Sequence, residues 1–238
     1  MELKVPESPF FDKWEVKSGT ADFGDSRSPR TEVVIKENGT EIKAKYSNTI
    51  NSSATLSGEV EPPKDAPIKV VNGVTLNLEP GTEINNYIHI EDGKLNAVAS
   101  SSNPIVISGG ISFSGSSSGY LEACEIKDAV RGISINGSGN AKVDILDCYI
   151  HNNSFAGVDV FGANSEIELN STTVSDSYYG VYILDGGEAS VYSNNRIVNN
   201  DIGLYTNSSA NINTGYSNTV ISSGSYSSYH AYASSGVI

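Results

Sequence analysis

The residues that could do chemistry recur at a fixed interval. Asp144 and Glu168 lie 24 positions apart, each at the centre of a short alternating run, Val143-Asp144-Ile145 and Ile167-Glu168-Leu169. Side by side on neighbouring strands, about 5 Å apart, two carboxylates could cleave a glycosidic bond with retention or hold Ca²⁺. A solvated outer face carries the same pattern with no chemistry at all. Asp159 and Asp185 are lone acids open to the same readings. Cys124 and Cys148 are also 24 apart. Stacked, their Cα atoms would be about 4.8 Å apart, within reach of a disulfide. A bridge would suit an extracellular chain, and a reduced pair would serve as packing. Tyr182 and Tyr205, 23 apart, have Tyr178 and Tyr179 beside them. An outward aromatic stripe can stack on sugar rings or on a partner protein, although tyrosine is at home on any exposed strand.

Other constellations say less. His89, His151 and His230 are too scattered for a metal cluster. His151 could meet Asp128 across a repeat, but no nucleophile accompanies them.

What must position these residues is a repeat. Ile126, Ile150, Val174, Ile197 and Val220 follow one another at intervals of 24, 24, 23 and 23, and Gly132, Gly157, Gly180 and Gly203 at 25, 23 and 23. Self-similarity of this period belongs to solenoids, and the leucine pattern of leucine-rich repeats is missing. Within each unit, runs such as Val158-Asp-Val160 and Val181-Tyr-Ile183 alternate with period two, the mark of strands with one buried face. One coil of three strands cannot bury its apolar face alone, so stacked coils supply the core. The spacing predicts an all-β parallel β-solenoid of about seven coils over residues 67–238. The same parity turns Cys124 and Cys148 inward. Thr172, Asn195 and Asn218 follow at that repeat position, which predicts an inward asparagine ladder at the last two.

Residues 1–66 lack the period. Pro62, Pro63 and Pro67 mark a joint. Asn38-Gly39 predicts a hairpin between residues 32–35 and 41–44. Ahead of it Phe10, Phe11 and Trp14 cluster, either as part of a strand-rich cap over the first coil or as an assembly arm that docks on another subunit.

The run Val74-Thr-Leu-Asn-Leu-Glu-Pro-Gly-Thr-Glu-Ile84, then Gly93-Lys-Leu-Asn-Ala97 and Asn103-Pro-Ile-Val-Ile107, resembles the opening coils of right-handed parallel β-helix proteins. These are the pectin-lyase-like, secreted and surface-displayed group. Leu121-Glu-Ala-Cys-Glu-Ile126 looks like that group's first regular coil, and the resemblance spans about residues 68–222. It implies a right-handed helix. It also implies polysaccharide as the substrate of any chemistry, since the group includes pectin lyases and hydrolases beside many secreted proteins of no known activity. The hydrolases' Asp-Asp pair and Gly-His-Gly run are absent. The bases after residue 120, Lys127, Arg131, Lys142 and Arg196, do not recur in equivalent places with carboxylates between them, as a lyase would need.

With 28 acidic against 15 basic residues the chain carries a net charge of −13. That disfavours a nucleic-acid partner and an anionic membrane, and no apolar run of about 18 residues could span a bilayer. Met1 to Phe10 lacks the basic and apolar regions of a secretory leader, so we read the sequence as the mature part of an exported chain. From Tyr226 onward the period fades without a capping helix, which invites end-to-end stacking or strand donation between copies. The sequence therefore points to a non-catalytic extracellular or cell-surface structural or adhesive β-helix. It implies no resident cofactor, Ca²⁺ at Asp144 and Glu168 aside. Its partner would be another copy of itself or a surface glycan. A polysaccharide-binding or polysaccharide-degrading protein is the alternative.

Overall fold

The structure, a computed structural model, describes residues 1–5, 8–63, 66–137, 139–207, 209–222 and 231–234. The alternating runs form three parallel sheets wound into a solenoid. The first face runs from Thr49–Ile50 through Ile68–Val71, Ile88–Glu91, Ile111–Ser114, Arg131–Asn136, Ala156–Phe161, Tyr179–Leu184 and Ile202–Asn207 to Ala231–Ser234. The second and third faces hold eight strands each. Counted from Ile68, seven complete three-strand coils stack, as the period predicts. One further coil, Thr49–Ile50, Ala54–Leu56 and Glu59–Val60, lies before the proline-rich joint. The parallel ladders therefore begin upstream of residue 67. Strands of two or three residues are too short to show alternation in the sequence.

Ile126, Ile150, Val174 and Ile197 stand in direct register, coil upon coil, and are fully buried. Val220 continues the column and packs against the core, which reaches back through Ile107 and Ile84. The recurrent glycines sit where coils approach too closely for a side chain. A Cβ on Gly132 would lie 2.6 Å from the carbonyl oxygen of Gly157, and one on Gly180 would lie 2.5 Å from that of Gly203.

From Ala123 onward, two turns of the coil pass through the left-handed region. One column is Ala123, Asp147, Ser171, Asn194 and Ser217, the other Asp128, Asn152, Asp176 and Asn199, with φ between 49° and 63°. Asn and Asp tolerate that conformation best among residues with a side chain, which accounts for many of the acids and amides of the repeat. After the first column, each backbone N–H is answered by a side chain of the next coil. Cys124 N–H donates to Cys148 Sγ (3.4 Å), Cys148 N–H to Thr172 Oγ1 (3.3 Å), Thr172 N–H to Asn195 Oδ1 (2.9 Å), and Asn195 N–H to Asn218 Oδ1 (3.0 Å). The asparagine ladder is thus present, and the cysteines are its first rungs. They are free, buried thiols and not a bridge. Each Sγ is turned to the turn backbone, Cys124 Sγ toward Ala97 O (3.5 Å) and Cys148 Sγ toward Leu146 O (3.3 Å). A second ladder follows the other turn column. Ala129 N–H donates to Asn153 Oδ1 (3.2 Å) and Ser177 N–H to Asn200 Oδ1 (3.0 Å).

The N-terminal residues depart from the sequence reading. Asn38-Gly39 does turn the chain, with Gly39 at φ 78°, but the flanking strands do not pair. Arg30–Ile35 lies between Glu2–Lys4 and Ala21–Phe23, so both its edges are taken, and Glu41–Tyr46 pairs instead with Phe11–Ser18. Phe10 enters the solenoid core, with Tyr46 packed against it. Trp14 is buried, its Nε1–H donating to Ser28 O at 3.0 Å and its ring edge-on to Phe11 at 5.7 Å. Phe10 thus packs on the solenoid core, and Trp14 with Phe11 packs among the N-terminal strands.

Ile150→Ala should cost about 3–4 kcal/mol by opening a cavity in the buried column. Asn195→Ala strands the Thr172 N–H and removes the Asn195 Nδ2 donor (3.0 Å) from the Leu169 carbonyl, which keeps the Tyr192 N–H, and should cost about 1–3 kcal/mol. Urea unfolding followed by circular dichroism measures both, and a loss for Asn195→Ala below about 0.5 kcal/mol would refute the ladder's part in stability.

Candidate functional site

The outward side chains of the first face stand in file. Lys69, His89, Ser112, Ser134, Asp159, Tyr182 and Tyr205 share one register column, and Asn136, Phe161 and Leu184 form the next. All of these except Lys69 and Tyr205 line, together with Arg131 and Phe155, a cleft of about 480 Å³. Its floor is Ser112, Ser134 and Asp159. Along the helix axis His89 stands at one end and Tyr182 at the other.

Asp159 is buried, yet charged groups hold it. Arg131 Nε lies 2.6 Å from Asp159 Oδ2, and the Ser134 hydroxyl donates to the same oxygen at 3.3 Å. Burial pushes the carboxyl above its usual range, against the pull of Arg131 and Ser134. The Arg131 guanidinium also lies over the Phe155 ring, 4.5 Å from its centroid, a cation–π contact that fixes its position. His89 sits between two hydroxyls, Nδ1 at 2.6 Å from Ser112 Oγ and Nε2 at 3.4 Å from Ser114 Oγ. Burial, then the Lys69 charge, lowers its pKa, so the ring is uncharged at neutral pH.

The three tyrosines of the sequence reading are brought together, but not as an open stripe. Tyr182 and Tyr205 stack on each other at 5.0 Å and 24°. Tyr179 packs against Tyr182 at 4.4 Å and against Tyr205 at 5.4 Å, and Phe155 meets Tyr179 and Tyr182 edge-on, each at 5.3 Å. Of the three, Tyr182 lines the cleft, while Tyr179 and Tyr205 buttress it. Spacing alone shows that a residue faces outward, not what its ring touches. His89, Ser112, Ser134, Arg131, Phe155 and Phe161 were not singled out by the sequence as a site. Following the Tyr182 column backward by one period at a time, through Asp159 to Ser134, was the signal that leads to them.

Asp144 and Glu168 are neighbours in register, on the second face. Lys142 Nζ reaches Glu168 at 3.4 Å and Glu166 at 3.1 Å, supplying the positive charge that the pair lacks. Among the described residues no group of three or more His, Cys, Asp or Glu converges to hold a metal ion. The partner of His151 is Glu125 (Nε2 to Oε1, 3.0 Å), with Tyr149 stacked on the imidazole at 3.9 Å, and not Asp128, which serves as a left-handed turn residue. His230 lies outside the described residues.

The chain belongs to the right-handed β-helix family. The family model for the right handed beta helix region matches residues 31–195 and, in a second overlapping placement, residues 98–238. No curated protein and no solved structure gives a match.

Burial and the neighbouring phenols raise Tyr179 to about 12. The phenol of an unfolded chain ionises near 10, so this contribution to stability is full below pH 10 and is lost as pH climbs from about 10 to 12. A phenolate-absorbance titration should show a late component that Tyr179→Phe lacks. Identical curves for the two proteins would remove Tyr179 from the packed cluster.

Proposed function

We propose that this β-helix is a non-catalytic glycan-binding protein, an adhesive or structural component outside the cell that holds a stretch of polysaccharide in the first-face groove. The observation that carries the reading is a buried polar floor, Ser112, Ser134 and Asp159, joined to the rings of Phe161 and Tyr182 in one cleft. A sugar presents hydroxyls at its rim and an apolar C–H face on the same ring. The floor offers hydrogen-bonding groups to the first, and the aromatic side chains cover the second. Coils advance about 4.8 Å along the axis, close to the advance of one pyranose along an extended glycan, so successive coils can meet successive sugars. Binding is favoured over hydrolysis because Asp159 is the single carboxylate of the lining and is tied to Arg131, whereas hydrolysis uses a pair of carboxyl groups.

Native affinity electrophoresis tests this, in gels containing hydroxyethyl cellulose, galactomannan, xyloglucan, polygalacturonate or alginate. At least one polymer should retard the protein, and Tyr182→Ala should weaken that binding about tenfold, about 1.4 kcal/mol. Tyr216→Ala, a fully exposed residue that is not part of the groove lining, should bind as the parent does. Retardation by none of the polymers, or equal retardation of Tyr182→Ala, would overturn the reading.

A further inference from the structure

We propose that the groove selects uncharged glycans, and that Asp159 enforces this by neutralising Arg131. The inference rests on the glycan-binding reading above and names its ligand class.

The charges that face the groove are matched in pairs. Arg131 is held by Asp159 at 2.6 Å, and Lys69 by Glu91 at 2.6 Å. His89 is bonded to two seryl hydroxyls and is uncharged at neutral pH. Two further acids, Asp92 and Asp185, stand on the adjoining turns as left-handed residues. Arg131, the guanidinium of the cleft lining, is thus already paired with a carboxylate, and the chain as a whole carries −13. A polyuronate would bring a carboxylate with each sugar into this setting. Each would lose water against a floor whose one guanidinium is already committed, and an unpaired charge is costly to desolvate. The chain's own field would also slow its approach. An uncharged sugar meets neither barrier. Its hydroxyls can donate to the Asp159 carboxylate, and hydrogen bonds to an ionised acceptor are about twice as strong as neutral ones. Phe155 fixes the other side of Arg131, so the guanidinium is not a free cation that swings out to meet a ligand carboxylate.

The same polymers decide the matter, with dissociation constants taken from the retardation at low and high salt. The wild-type protein should bind at least one of hydroxyethyl cellulose, galactomannan and xyloglucan, with less than about a twofold change on adding salt, because no charge pairing is screened. Polygalacturonate and alginate should bind at least about tenfold more weakly. Asp159→Asn keeps the shape of the side chain, removes its charge and frees Arg131. It should gain affinity for polygalacturonate about tenfold or more, and the gain should vanish in high salt. Circular dichroism establishes that the variant is folded; if it is not, the wild-type preference and its salt dependence still give the answer. Preferential binding of the acidic polymers by the wild-type protein would overturn neutral selection and leave the groove reading standing. A folded Asp159→Asn without the gain would overturn the role given to Asp159. Retardation by no polymer would bring down both readings together.

Discussion

Each coil of this protein is hydrogen-bonded, strand by strand, to the coils that adjoin it. A side chain therefore has the corresponding side chain of the next coil about 4.8 Å away, and a fixed register propagates along the axis. Inside, this demands columns of residues that tolerate their own kind as neighbours. The column from Ile84 to Val220 meets the demand with branched aliphatic residues. At the turns it demands more, because a backbone that leaves the sheet has N–H groups with no strand to receive them, and a buried unpaired N–H is costly. The coil above supplies the acceptor. Sulfur, hydroxyl and amide oxygen do this in turn at Cys148, Thr172, Asn195 and Asn218, so chemically unlike residues are equivalent by task.

That equivalence sets what the sequence discloses. From Ile126 onward the interior column was legible because burial imposes the same type of residue every 23 or 24 positions. The ladder asparagines were legible for the same reason. The cysteines were read as a disulfide or as packing, because spacing shows that two thiols are adjacent and not that a backbone N–H is directed at one of them. The first coil was illegible, since Thr49–Ile50 and Glu59–Val60 offer too few residues to display a period. The N-terminal hairpin was misread where a local rule met a tertiary competitor. Asn38-Gly39 makes its turn, but Arg30–Ile35 is enclosed on both edges by Glu2–Lys4 and Ala21–Phe23, and no local signal announces partners so distant along the chain.

On the outside nothing forces one coil to repeat the last, and here the register brings unlike side chains into file. The column from Lys69 to Tyr205 passes from an ion pair through histidine and serines to a buried acid and then to stacked phenols. It was half legible: the tyrosines announced themselves by type, whereas serine is so common in this chain that Ser112 and Ser134 carried no signal until the sheet placed them beside Asp159. Single acids were equally ambiguous. Asp128 and Asp176 are left-handed turn residues, Asp144 stands beside the Lys142–Glu168 ion pair, and Asp159 alone of these lines the cleft.

The buried charge of Asp159 is the feature that packing alone does not call for. A polar surface could have been built at that position with serine, as it is one and two coils earlier at Ser134 and Ser112. A carboxylate there must be desolvated, and its raised pKa records that cost. A buried charge with an ion-pair partner often adds no stability over an apolar residue of the same volume, so Asp159 with the half-exposed Arg131 is a poor means of holding a sheet together that 0%-exposed aliphatic columns already hold. What it does provide is a guanidinium fixed between a carboxylate and the face of Phe155, at the one place on this face where polar floor and aromatic side chains meet. The desolvation cost therefore falls on the cleft, at a pair the sheet does not need, which is the place the proposed glycan groove would require it.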